Sequence, residues 1–80
     1  MLTGYIRAAM RHARYEILED DGSFYGCIPE FPGVWANAKA LDACREELES
    51  VFEGWLLLSI ADHTPLPEID GNRLEIREVA

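Results

Sequence analysis

Leu41, Cys44, Leu48, Val51, Phe52, Trp55 and Leu58 recur at steps of three and four residues, and no other pattern in the chain constrains its fold as strongly. Asp42, Arg45, Glu46, Glu47, Glu49, Ser50 and Glu53 fill the opposite side. This is the pattern of an amphipathic helix of about five turns. Its apolar stripe requires a covering layer, and the residues ahead of it supply a sheet. Tyr15 and Ile17 alternate with Glu16, and Phe24, Gly26 and Ile28 alternate with Tyr25 and Cys27, the period of two expected of strands with unequal faces. Asp20-Asp21-Gly22 separates the two runs. Asp and Gly tolerate positive φ, so this position predicts a tight hairpin. Ile28-Pro29-Glu30-Phe31-Pro32-Gly33 then forms a corner whose Pro-Gly pair presets a turn, and Val34-Trp35-Ala36 reads as a short apolar strand.

Ahead of the hairpin, Leu2, Tyr5, Ile6, Ala9, Met10 and Ala13 stand at helical spacing with Arg7, Arg11, His12 and Arg14 between them. This predicts a short basic helix with Thr3 as its N-cap. Asn37 or Asp42 is expected to cap or charge-match the start of the long helix. Asp62-His63-Thr64-Pro65-Leu66-Pro67 must end that helix, because proline cannot donate and disfavours helix just before itself. Leu74 and Ile76, alternating with Glu75 and Arg77, suggest a last strand reached through Asp70-Gly71-Asn72. The expected architecture is a single α+β domain over residues 1–80: a small two-layer fold, an antiparallel sheet packed by one long amphipathic helix, with a short N-terminal helix.

Eighty residues bury only about 60–65% of their unfolded surface, so docking onto a partner or onto a second copy adds burial that the lone chain lacks. A homo-oligomer, dimer or tetramer, is expected on that ground. Fifteen acids against seven bases give a net charge of −8. That balance opposes contact with phosphate backbones and favours a basic protein partner, whose encounter would be steered by long-range attraction. Cys27 and Cys44 lie in a strand and on the apolar helix face, and they read as reduced thiols rather than a disulfide framework. The N-terminus shows no basic region followed by a long apolar run, and no stretch approaches a membrane span, so the expected address is the cytoplasm.

Enzyme constellations are weak. Glu19, Asp20 and Asp21 lack the alternating spacing and distal acid of a calcium loop, and a solvated turn explains them. His12 and His63 have no Cys or His at ligand spacing and read as surface residues. No nucleophile-elbow glycine pattern surrounds the serines. Neither catalytic residues nor a cofactor nor a metal site is expected. Glu46, Glu47 and Glu49, with Glu53, form a solvated helix face suited to a basic surface. Trp55 follows the apolar stripe and is expected in the core. Phe31 and Trp35 flank the Pro-Gly turn, where a rigid backbone lowers the entropic cost of presenting a large ring to a partner.

The order of hairpin, "proline, acid, apolar, proline, glycine" corner at Pro29–Gly33, acidic helix and later Pro65-Leu66-Pro67 resembles the HicB-like antitoxin family. The chain differs from the family's usual pattern in having Ala38 and Ala40 where a glycine and then a threonine commonly precede the helix. The resemblance implies a fold akin to a degenerate ribonuclease H. It also implies a function: neutralising a small basic HicA-like toxin that cleaves messenger RNA, by covering its RNA-binding and catalytic surface, without catalysis. Glu30, Phe31, Trp35, Glu46, Glu47 and Glu49 are the expected partner contacts. Many relatives add a C-terminal DNA-binding segment; no direct DNA binding is expected of residues 1–80. The alternatives are a stand-alone regulatory binding domain and a cryptic metal-dependent nuclease, which would need carboxylates converging on a divalent ion.

Overall fold

The computed structural model describes residues 2–72 and contains two helices and three strands: α1 (Leu2–Arg11), β1 (Arg14–Ile17), β2 (Phe24–Cys27), β3 (Trp35–Ala38) and α2 (Leu41–Ala61). The strands form an antiparallel sheet in the order β1-β2-β3, with Tyr15 opposite Gly26 and Gly26 opposite Ala36. Helix α2 packs on one side of it and α1 packs against α2, so the expected α+β two-layer domain is what forms. The strand expected at Leu74 and Ile76 lies outside the described residues.

Local chemistry explains the connections, with corrections. Between β1 and β2 the chain does not turn at once: Leu18 N–H donates to the Ser23 carbonyl (2.8 Å), and the loop inside that bond is held by Asp21, whose Oδ1 accepts from the Ser23 N–H (3.0 Å) and hydroxyl (2.6 Å). Only Gly22 there takes positive φ. The tight two-residue turn forms instead at Asp70-Gly71, where φ is +49° and +79° and Ile69 and Asn72 exchange both backbone bonds. At the corner, the Val34 N–H donates to the Phe31 carbonyl (3.0 Å) across Pro32 and Gly33, and the φ of +94° at Gly33 makes this a type II turn.

The helix ends also differ from expectation. Thr3 lies within the first turn of α1 rather than ahead of it. Ala40 is the N-cap of α2 and makes no side-chain cap, while the Asn37 amide donates to Ser23 Oγ (2.9 Å) and the Phe24 carbonyl (2.8 Å) and is thereby spent on the sheet. Asp42 stays in the first turn, where its charge suits the positive end of the dipole. At the far end, His63 N–H reaches the Ile60 carbonyl and Thr64 N–H the Ser59 carbonyl, the paired bonds of a Schellman motif, with His63 at φ +55° just before Thr64-Pro65.

The core joins Tyr5, Ala8 and Ala9 of α1, Ile28 and Phe31 of the corner, Val34 just after it, Ala36, and the α2 row Cys44, Leu48, Phe52 and Leu56. Here the expected stripe is corrected: Leu41, Val51 and Leu58 are exposed, whereas Leu56 and Ser59 are buried. Twenty-one helical residues span about 31 Å and four-residue strands about 13 Å, so the sheet cannot cover the whole of α2. Beyond the sheet, among the described residues, the corner, α1 and Ile69 line a narrow i, i+4 row of it. Val51, Leu57 and Leu58 fall to the sides of that row.

Candidate functional site

Phe31 belongs to the core, not to a contact surface. It is 1% exposed, and its ring centroid lies 4.8 Å from that of Phe52, 5.0 Å from Trp55 and 6.3 Å from Tyr5. The Pro-Gly turn aims it inward, because the type II geometry returns the chain into β3 while Phe31 closes the gap beneath α2. Trp55, half-buried, stacks on Phe52 as the helical stripe predicts.

Trp35 is different. It opens β3, pairs in register with Cys27 and is 53% exposed. Alternation along β3 buries Ala36 beneath α2 and turns Trp35 to the opposite face, where its ring stacks on Tyr25 with centroids 6.0 Å apart and planes 24° apart. Tyr25 was not singled out by sequence; its cross-strand position, visible only once the register is known, makes it Trp35's partner.

Glu46, Glu47 and Glu49 are exposed on α2 together with Asp42 and Glu53. Since α2 covers the sheet's inner face and Trp35 projects from the outer one, these glutamates and Trp35 occupy opposite layers. They do not form one flat patch. A groove of about 620 Å³ lies beside the acidic face, between the end of α1, β1 and the start of α2, with Met10, Ala13, Tyr15 and Leu41 along it and Arg11, Asp42 and Arg45 at its edge.

Glu30 meets His12, a half-buried side chain engaged at both ring nitrogens. His12 Nδ1 lies 2.5 Å from Glu30 Oε2 and its Nε2 lies 2.8 Å from Asp70 Oδ1, and Arg11 Nη2 stands 3.7 Å from Asp70 Oδ2. Carboxylates only accept, so both ring nitrogens must donate and His12 is an imidazolium in this arrangement. The hydrogen bond to Asp70 first, and that to Glu30 next, raise its pKa above the ordinary histidine value. This clasp ties α1 to the corner and to the 69–72 turn. Asp21 moves the other way: its bonds from Ser23 hold its carboxyl below the usual range. Burial pushes the Cys44 thiol up, as expected of an inert core cysteine, while Cys27 is half-buried.

No group of three or more His, Cys, Asp or Glu side chains suited to a metal ion occurs among the described residues, and no helix among them is long and apolar enough to cross a membrane. A crystal structure of TTHA0281 from Thermus thermophilus is similar to this chain at 37% identity, with a TM-score of 0.88, covering 96% of this chain and 95% of that one. No curated protein matches. The UPF0150-like family model matches residues 4–67, which span α1, the sheet, the corner, α2 and its proline exit, and the chain belongs to the UPF0150-like family.

Proposed function

We propose that this chain is an antitoxin-type protein-binding module that neutralises a small basic HicA-like ribonuclease by covering its RNA-binding surface, with no catalysis of its own. The observation that carries this reading is the outer face of α2, where Asp42, Glu46, Glu47, Glu49 and Glu53 stand exposed on a molecule of net charge −8. A nuclease that grips RNA must present clustered Lys and Arg, and such a surface is complementary to this one. Membership of the UPF0150-like family and the HicB-like corner followed by an acidic helix support the same reading. In this reading the helix layer around Glu46, Glu47 and Glu49 makes the contact, which is supported by Glu30 being engaged with His12 and by Phe31 lying buried in the core.

The test is co-expression with the product of the adjacent gene, followed by co-purification and a growth assay. The expected result is a small basic neighbour that arrests growth alone and is both bound and silenced by this chain. A toxic neighbour that this chain neither rescues nor retains would refute the assignment.

A further inference from the structure

Four apolar-bodied side chains border a groove that the core does not fill. Met10 and Ala13 come from the end of α1, Tyr15 from β1 and Leu41 from the first turn of α2, and the space they enclose is about 620 Å³. Small-molecule pockets have this size, with a mostly apolar lining and a few converging polar groups. Leu41 is 48% exposed here, an apolar side chain left uncovered by the packing of the described residues. The polar groups converge as well. Among the described residues the guanidiniums of Arg7 and Arg45 make no ion pair, and the Tyr15 hydroxyl makes no hydrogen bond. Arg45 has Asp42 and Glu49 about one helical turn away on either side and pairs with neither. Instead it lies close enough to Tyr15 to oppose the rise that burial gives the phenol's pKa.

Charge and size choose the occupant. Arg7, Arg11 and Arg45 border the hollow that adjoins the groove, so three of the chain's seven bases gather where two helices meet on a molecule of net charge −8. Like charges held together repel, and an anion between them relieves the repulsion. The relief is limited, because Asp42 and Glu49 stand at the edges and Arg11 also reaches Asp70 at 3.7 Å. A phosphate dianion would meet those carboxylates, whereas a single carboxylate suits the planar fork of an arginine and the remaining charge. The floor of Met10, Ala13 and Leu41 is aliphatic, and the groove is bounded by the ends of three elements, a space for a small molecule. We propose that this groove binds a small aliphatic monocarboxylate. Its carboxylate accepts from the Arg45 guanidinium and the Tyr15 hydroxyl, and its chain lies on Met10, Ala13 and Leu41. This site goes beyond the ribonuclease reading and does not rest on it, since its test involves no second protein.

Titration of the full chain with octanoate tests it, read by calorimetry and by NMR of the backbone amides, with octanamide and inorganic phosphate as controls. Octanoate is expected to saturate one site and to shift the amides around Met10, Ala13, Tyr15 and Leu41. Octanamide, equal in size and uncharged, should bind at least about tenfold more weakly, and phosphate should not displace octanoate. Arg45→Gln and Tyr15→Phe should each weaken octanoate binding about tenfold, the loss of one hydrogen bond to a charged group, and leave octanamide binding as it was. Tyr15→Phe keeps the ring that closes over Gly26, and Arg45 is exposed, so circular dichroism should be unchanged in both variants. The absence of saturable octanoate binding overturns the proposal. So do equal affinities for octanoate and octanamide, shifts that map to another part of the chain, or folded variants that bind octanoate as the wild type does.

Discussion

A Cβ on Gly26 would stand 2.9 Å from the ring of Tyr15 and 3.2 Å from Cys44 Sγ, so the bare backbone of β2 is what lets β1's aromatic ring and α2 close over the sheet together. Cys44 is fully buried and Tyr15 packs half-buried against the core, so a methyl group at this position forces one of them to shift. Gly26→Ala is therefore expected to cost about 1–3 kcal/mol, the usual penalty for overfilling a packed site. Urea denaturation measures it. Tyr15→Leu in the same background should recover part of the loss, and an additive double mutant would show that the ring is not the obstacle.

The observed helix face makes a sharper stability prediction than the sequence stripe does. Leu48→Ala should cost about 2–5 kcal/mol and Phe52→Ala about 3–5, much of the stability available to a domain of this size. Val51→Ala, Leu58→Ala and Glu49→Ala should each stay within about 0.5 kcal/mol in the isolated chain. If Leu58→Ala proves as damaging as Leu48→Ala, the assigned register of α2 is wrong.

Gly33 occupies the third position of the type II turn at φ +94°, with open space where a Cβ would go. Gly33→Ala should then cost about 1–2 kcal/mol through backbone strain alone. Thermal unfolding, with the core aromatic signal otherwise unchanged, distinguishes this from a packing defect.

The His12 clasp predicts a pH dependence with a definite sign. Its folded pKa is raised by Asp70 and Glu30, so the stability it contributes is complete below the ordinary value of about 6.5 and is lost as pH rises through the higher folded value. Asp21, lowered by Ser23, contributes in the opposite sense and loses its share only as pH falls through its depressed value. His12 ring resonances followed by NMR should titrate at higher pH in the folded chain than in the unfolded one. His12→Gln should flatten the neutral-to-alkaline slope of stability, and amide exchange at residues 69–72 should quicken above the transition. An unchanged slope would mean that the clasp contributes nothing in solution.

Under the ribonuclease reading, replacing Glu46, Glu47 and Glu49 together by Gln should slow association with the basic partner and flatten its salt dependence, leaving dissociation nearly as before, because exposed rim charges act mainly on encounter. Stopped-flow binding at several salt concentrations checks this. A change confined to the dissociation rate would place these residues inside a desolvated contact rather than at its rim.

Local chemistry alone specifies a large part of this fold. The period of two at Tyr15–Ile17 and Phe24–Ile28, the near-3.6 period after Leu41, and the torsions set by Pro32-Gly33 and Thr64-Pro65 are each read by a few neighbouring residues, and the elements and layers follow from them. Tertiary structure decided the rest. Which flank of α2 is buried depends on how far a short sheet reaches along a long helix, so Leu56 and Ser59 went in where Val51 and Leu58 had been expected. Phe31 and Trp35 look alike beside the turn, yet strand alternation and the position of α2 sent one inward and the other out. Trp35 and the helix glutamates were all expected partner contacts, and the two-layer packing puts them on opposite layers. His12 found Asp70 58 positions away, a pairing no local pattern encodes, because hydrogen-bond partners are chosen by proximity in space and not along the chain.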